Sequence, residues 1–131
     1  PDQLPHVASL YFVADDELSL YFFSSPQSQH CRDLAAMHFA AVAIFEPLRA
    51  WEQGRGTQMR GTCDPLEEDA YDYVPSIYAD KFPEMTFADQ HVAALAATRF
   101  FRFRPNWIRW CDNNVDFGYL EEFSWPPNGR K

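Results

Sequence analysis

The chain has 131 residues, 11 Lys and Arg against 19 Asp and Glu, and a formal net charge of −8. That charge excludes a non-specific nucleic-acid binder, whose affinity comes from neutralising phosphates, and no apolar run approaches the roughly 18 residues of a membrane-spanning helix. Hydrophobic residues make up 47% and aromatics 17%, enough for a packed core, so residues 1–131 are expected to form a single domain.

Two β-runs come first. His6 to Ala14 and Leu18 to Phe23 are rich in aromatic and β-branched residues, and Asp15-Asp16-Glu17 between them predicts a tight hairpin. Ser24-Ser25-Pro26 is a helix-start signal: Ser25 can cap the first N–H groups and Pro26 suits the first helical position. The helix is expected to run to about His38, with Cys31, Leu34, Ala35 and His38 on its inner face. A strand over Ala40 to Phe45 is apolar on both faces, which predicts a central position. A fourth strand, from about Gly54 to Cys63, alternates Gly56, Gln58 and Arg60 against Thr57, Met59 and Gly61.

Beyond Asp64-Pro65, Leu66 to Phe82 has helical spacing interrupted at Pro75, and Phe87 to Thr98 reads as an Ala-rich helix. Arg99 to Arg104 and Asn106 to Cys111 then alternate as two strands, and Asp112 to Lys131 reads as a loop. The order β-β-α-β-β-α-α-β-β predicts a mostly antiparallel barrel or strongly curled sheet.

Three places carry chemistry. At the junction from Phe22 to Arg32, a helix start gathers Ser24, Ser25, Ser28, His30 and Arg32. Unpaired N–H groups and the positive end of the macrodipole make such a start attractive to phosphate. The plainer interpretation there is an ordinary Ser25 cap with its neighbours solvated. On the fourth strand, the Gly56, Gln58 and Arg60 face would let a planar ring approach the backbone, or would simply be a polar edge. Arg99 to Arg104 interleaves Arg and Phe in a way that resembles a base-stacking surface, but one buried face produces the same alternation, and the acidic charge argues against nucleic acid.

No metal site is expected, because His6, His30, His38 and His91 never fall at paired-ligand spacing, and Glu67, Glu68, Asp69 and Asp72 read as a solvated helix start. Cys31, Cys63 and Cys111 form neither a disulfide framework nor a zinc knuckle and fit a reducing cytoplasm. There is no G-x-S-x-G, P-loop or G-x-G-x-x-G motif.

Five segments, taken in order, carry a resemblance. They are Pro5-His6 with the hairpin through Phe23, the turn Ser24-Ser25-Pro26-Gln27-Ser28-Gln29-His30, and the strand Ala41-Val42-Ala43-Ile44. The other two are Arg55-Gly56-Thr57-Gln58-Met59-Arg60-Gly61-Thr62 and the ending Asp112-Asn113-Asn114-Val115-Asp116-Phe117-Gly118. Together they resemble the FMN-binding split-barrel superfamily of pyridoxamine 5′-phosphate oxidase, in particular its small bacterial members, from about Pro5 to Trp125.

The resemblance implies a mostly β chain with flanking helices, folded as a six-stranded antiparallel split β-barrel. It implies a homodimer holding FMN in clefts between subunits, acting as a cytoplasmic oxidoreductase on a small substrate. Ser24, Ser25 and Ser28 would face the ribityl phosphate, and His30 stands where many members place a phosphate-binding Lys. Gly56 and Gln58 would lie beside the isoalloxazine ring, with Trp107, Trp110 or Phe117 bordering the cofactor or the dimer contact. No catalytic acid or base is implied.

There are two departures. Gln29 and His30 replace a basic pair, so phosphate binding would rest on hydroxyls and backbone N–H groups. The family usually has an N-terminal helix and strand before the Pro-His hairpin, so the chain is read as lacking them. Two alternatives stay open: haem or a deazaflavin on the same barrel, with His6, His30 or His91 as an axial haem ligand, and a cofactor-free dimeric binding or scaffold protein.

Overall fold

The computed structural model describes residues 3–47, 50, 53–67, 73–83 and 98–127. Six strands and two helices follow in the order β1 (Val13–Ala14), β2 (Leu20–Ser24), α1 (Gln29–Ala36), β3 (Phe39–Phe45), β4 (Arg55–Pro65), α2 (Val74–Lys81), β5 (Arg99–Asp112) and β6 (Leu120–Ser124). The strands form one sheet in the order β1-β2-β5-β4-β3, with β6 also on β5. The chain divides into two compact units, Pro1–His38 with Cys63–Arg104, and Phe39–Thr62 with Pro105–Lys131; β4 and β5 run through both.

In the first unit, β2 uses both of its faces. Tyr21 belongs to a core with Val13, Leu66, Val74, Tyr78 and Phe100, and Phe23, Ile77 of α2 and Phe82 just after it pack against this core. On the other face the Phe22 ring stacks on Phe101, with centroids 5.3 Å apart and planes within 9°, in the register that pairs Leu20 with Phe103. The Phe residues of the Arg/Phe alternation are therefore core: Phe100, Phe101 and Phe103 are 6%, 3% and 1% exposed.

α2 begins with Pro75 in its first turn, where a missing N–H costs nothing. The Pro expected to interrupt a helix instead starts one. The Tyr78 hydroxyl, fully buried, lies 2.8 Å from the Tyr21 carbonyl oxygen and 3.0 Å from that of Tyr11. Burial raises its pKa far above the ordinary phenol value, so it remains a donor. Lys81 closes the last turn by donating from Nζ to the Phe12 carbonyl at 2.6 Å.

The expected hairpin is present but short. Only Val13 and Ala14 pair with Tyr21 and Leu20, while residues 3–12 lie outside any strand. Asp15 fixes the turn by accepting from the N–H groups of Glu17 (2.9 Å) and Ser19 (3.0 Å) and from the Tyr21 hydroxyl (2.8 Å).

In the second unit β3 and β4 pair antiparallel from Phe39 opposite Thr62 to Phe45 opposite Gly56. Ala40, Val42 and Ile44 are half-buried, whereas Phe39, Ala41, Ala43 and Phe45 are exposed. The expectation of a central strand is corrected: β3 ends the strand order. Its second face, Phe39, Ala41, Ala43 and Phe45, is apolar and exposed.

Two further expectations change. The two C-terminal strands are one, β5, which passes through Pro105. Pro105 falls between the β2 register, ending at Phe103, and the β6 register, starting at Trp107. A residue without an N–H is tolerated there because one side of the strand changes partner. The segment after Asp112, read as loop, contains β6, whose Leu-Glu-Glu-Phe-Ser residues are all exposed and show no alternation to announce it. The helix expected over Phe87 to Thr98 lies outside the described residues, except for Thr98.

Candidate functional site

The first-unit cluster grows from the end of β2. Ser24, its last residue, pairs with Arg99 of β5, and the chain then turns through 25–28 into α1. The turn closes with the Ser28 N–H donating to the Ser25 carbonyl at 3.0 Å. The helix therefore starts later than expected: Ser28, not Ser25, is the N-cap residue, and Pro26 lies in the turn before it. Ser25 Oγ instead accepts from the Gln27 N–H at 3.2 Å.

Ser28 sits at the cap position but makes no side-chain cap; its hydroxyl turns back to the Ser25 carbonyl at 2.7 Å. The first-turn N–H groups thus receive no cap from it. His30 stands within this turn, with Nε2 2.7 Å from Ser24 Oγ and 3.3 Å from Ser28 Oγ. Burial lowers the imidazole pKa, opposed by the nearby Asp33 carboxylate.

Asp33 is held elsewhere, by His6 Nδ1 at 2.7 Å and by Gln29 Nε2 at 2.8 Å, and these bonds keep its carboxyl below the usual carboxylate range. The Ser24 hydroxyl, the His30 imidazole and the uncapped helix start form a donor set that fits a phosphate, which the Ser28 hydroxyl joins by rotating away from the Ser25 carbonyl. Ser24, Ser28 and His30 are thus brought together, and Ser25 contributes the carbonyl that organises them.

The second-unit cluster lies on β4 and the far half of β5. The space above Gly56 is not open. A side chain built there would run into the Phe45 ring and the Ile44 carbonyl oxygen. The missing Cβ seats Phe45, and a planar ligand over this position would meet that exposed ring rather than the backbone.

Gln58 accepts from Arg109 Nη1 at 3.1 Å, and Arg109 also pairs with Glu122 of β6 at 2.7 Å. Trp107 is half-buried, with the Arg60 guanidinium 4.1 Å and that of Arg109 5.1 Å from its ring centroid. A flat indole beside an amide and two cations can border a planar, electron-poor ring. The alternation of β4 already placed Gln58 and Arg60 on one face. Arg109 and Glu122 join them only through the β5–β6 register, which no local pattern reveals.

The Asp112-to-Gly118 motif is a structural lock. Asp112 Oδ1 accepts from the Asn114 N–H at 2.9 Å, Asn113 Oδ1 from that of Gly118 at 3.0 Å, and Asn114 Nδ2 donates to the Gln53 carbonyl at 3.0 Å. Gly118 has φ +78°, a conformation that favours glycine. Phe117, 74% exposed, projects from this turn.

Of the other histidines, His38 pairs with Asp64 at 2.7 Å, and His91 lies outside the described residues. Among the described residues no group of three or more His, Cys, Asp or Glu is placed to hold a metal ion. No described helix is long and apolar enough to cross a membrane.

The family model described as pyridoxamine 5′-phosphate oxidase matches residues 1–111. No curated protein matches. Among solved structures, the chain is similar to a heme binding protein from Mycobacterium smegmatis, at 14% identity and TM-score 0.69, covering 88% of this chain and 45% of that one. It is similar to a FAD-binding protein from Mesorhizobium loti, at 20% identity and TM-score 0.62, covering 82% and 77%. A third is HutZ, the heme storage protein from Vibrio cholerae, at 17% identity and TM-score 0.59, covering 73% and 68%. The chain spans less than half of the mycobacterial protein. These likenesses show a common fold, the six-stranded split barrel expected from the motifs.

Proposed function

Because the chain belongs to the pyridoxamine 5′-phosphate oxidase family, we propose that it is a cytoplasmic flavoprotein that binds FMN as a homodimer. The observation that carries this reading is the convergence of Ser24, Ser28 and His30 on one uncapped helix start. Ser24 and Ser28 turn their hydroxyls to the phosphate, and His30, neutral near pH 7, donates through whichever ring nitrogen holds its proton. Ser25 keeps the turn closed. In the second unit, Gln58, Trp107 and the Phe45 ring seated on Gly56 form a flat, polar-edged face suited to a planar ring. The exposed Phe39 and Phe45, at 67% and 58%, support a second subunit over this face, since an uncovered apolar strand invites association. Bound flavin would supply the hydride chemistry, and the chain's residues bind and orient it.

Protein purified without added cofactor is expected to show flavin absorbance, with FMN as the molecule released on denaturation. A colourless protein that takes up no added FMN contradicts the reading. Haem is the second reading. It is favoured by His6 Nδ1 resting 2.7 Å from Asp33, since a carboxylate-oriented imidazole is the usual form of a ligating histidine. A Soret band on haem addition that disappears in His6→Ala would select it over FMN.

A further inference from the structure

Among the described residues, Arg60 is the cation of the second unit that no carboxylate neutralises. Arg55 is paired with Glu46 at 2.8 Å and Arg109 with Glu122 at 2.7 Å. Arg60 is exposed and lies 4.1 Å over the Trp107 ring, and among the described residues no Asp or Glu stands within ion-pair distance of it. In a chain of net charge −8, such a guanidinium is a local exception.

Gln58 adds a second donor. A guanidinium has no acceptor, so the bond from Arg109 requires the Gln58 oxygen and leaves its NH₂ turned away. Gln58 and Arg60 are two residues apart on β4 and share one face of the strand. Across the pairing they stand opposite Ala43 and Ala41, both exposed. Neither alanine is large enough to cover them.

We propose that Arg60, held by Trp107 and assisted by the Gln58 amide, is the recognition point for a carboxylate on a flat aromatic ligand. The inference deepens the flavin reading by naming a substrate class, and it rests on that reading's choice of this sheet face as the ligand face. A guanidinium presents two parallel N–H groups that match the two oxygens of a carboxylate. Stacking on the indole restrains the side chain in advance, so less freedom is lost when the anion arrives. A flat ligand has the exposed Phe45 ring to lie against. Arg109 is already neutralised by Glu122 and bonded to Gln58.

The test is calorimetric titration of the full chain with benzoate, with its neutral isostere benzamide, and with inorganic phosphate. The wild type should bind benzoate about tenfold tighter than benzamide and than phosphate, a difference of about 1.4 kcal/mol. Arg60→Gln should abolish the preference for benzoate over benzamide. Arg60→Lys should restore only part of it, because a point charge lacks the fork. Both substitutions are on the surface, and an unchanged Tm confirms that the fold is kept. A preference undiminished in Arg60→Gln, no benzoate binding by the wild type, or phosphate binding as tightly as benzoate each overturns the inference. FMN titration of the same samples separates the two claims. FMN binding without benzoate selectivity removes this inference alone, whereas benzoate selectivity without FMN binding removes the flavin reading alone.

Discussion

At the scale of single residues, Gly56 and His30 make opposite kinds of demand. Gly56 is required by what lies above it. Gly56→Ala would force the Cβ into the Phe45 ring and against the Ile44 carbonyl, and should cost about 1–3 kcal/mol of stability in urea unfolding. Removing the ring as well, in Gly56→Ala with Phe45→Ala, should recover only part of the loss, because the carbonyl contact remains. His30 is defined by its protonation. Burial lowers its folded-state pKa below the ordinary 6.5, so as pH falls through about 6.5 the unfolded chain gains the proton first. The stability contributed by the neutral imidazole is complete above that pH and is lost as the pH descends toward the folded value. Urea midpoints should therefore fall between about pH 7.5 and pH 5.5, and His30→Gln should flatten this part of the profile. Cys63 gives a third residue-scale expectation. Burial, aided by Asp64 and Cys31, pushes its thiol up to about 12, so it should stay unmodified by a thiol reagent in the native protein while half-buried Cys111 reacts.

At the scale of elements, one phenol ties α2 to two places at once. Tyr78 joins the helix to β2 and to the residues before β1 through one hydroxyl. Tyr78→Phe should cost about 1–3 kcal/mol by leaving buried carbonyls short of a donor, and Tyr78→Ala about 3–5 kcal/mol by emptying the core; chemical denaturation separates the two. The elements also show what a sequence can disclose. The β2–α1 junction was legible because Ser, Pro and His at a strand-to-helix boundary have local consequences, although the cap proved to be Ser28 rather than Ser25. The β3–β4 pair was legible from alternation. The continuity of β5 was not, since Pro105 is locally a strand breaker and its tolerance comes from a change of neighbour. The peripheral place of β3 was hidden for a related reason: an apolar face reads as buried whether this chain or a second subunit covers it. Arg109 and Glu122 meet only through long-range register, and no spacing rule reaches them.

At the scale of the whole molecule, the acidic charge and aromatic content acquire local meaning. A net charge of −8 coexists with a donor-rich helix start in one unit and, in the other, an Arg60 that no carboxylate among the described residues neutralises. Several aromatics left over after the core is filled, Phe39, Phe45 and Phe117 among them, are exposed. If a second subunit covers β3, Phe39→Glu should shift the protein from dimer to monomer in light scattering without lowering the helix and strand content. The central claim, that Ser24, Ser28 and His30 take the phosphate of FMN, is tested most directly by comparing FMN with riboflavin, which lacks only that phosphate. The account predicts that the wild type binds FMN at least about tenfold tighter, and that Ser24→Ala, Ser28→Ala and His30→Ala combined equalise the two while leaving riboflavin affinity unchanged. Equal affinity for both in the wild type, or a preference for FMN that survives the triple substitution, would contradict it.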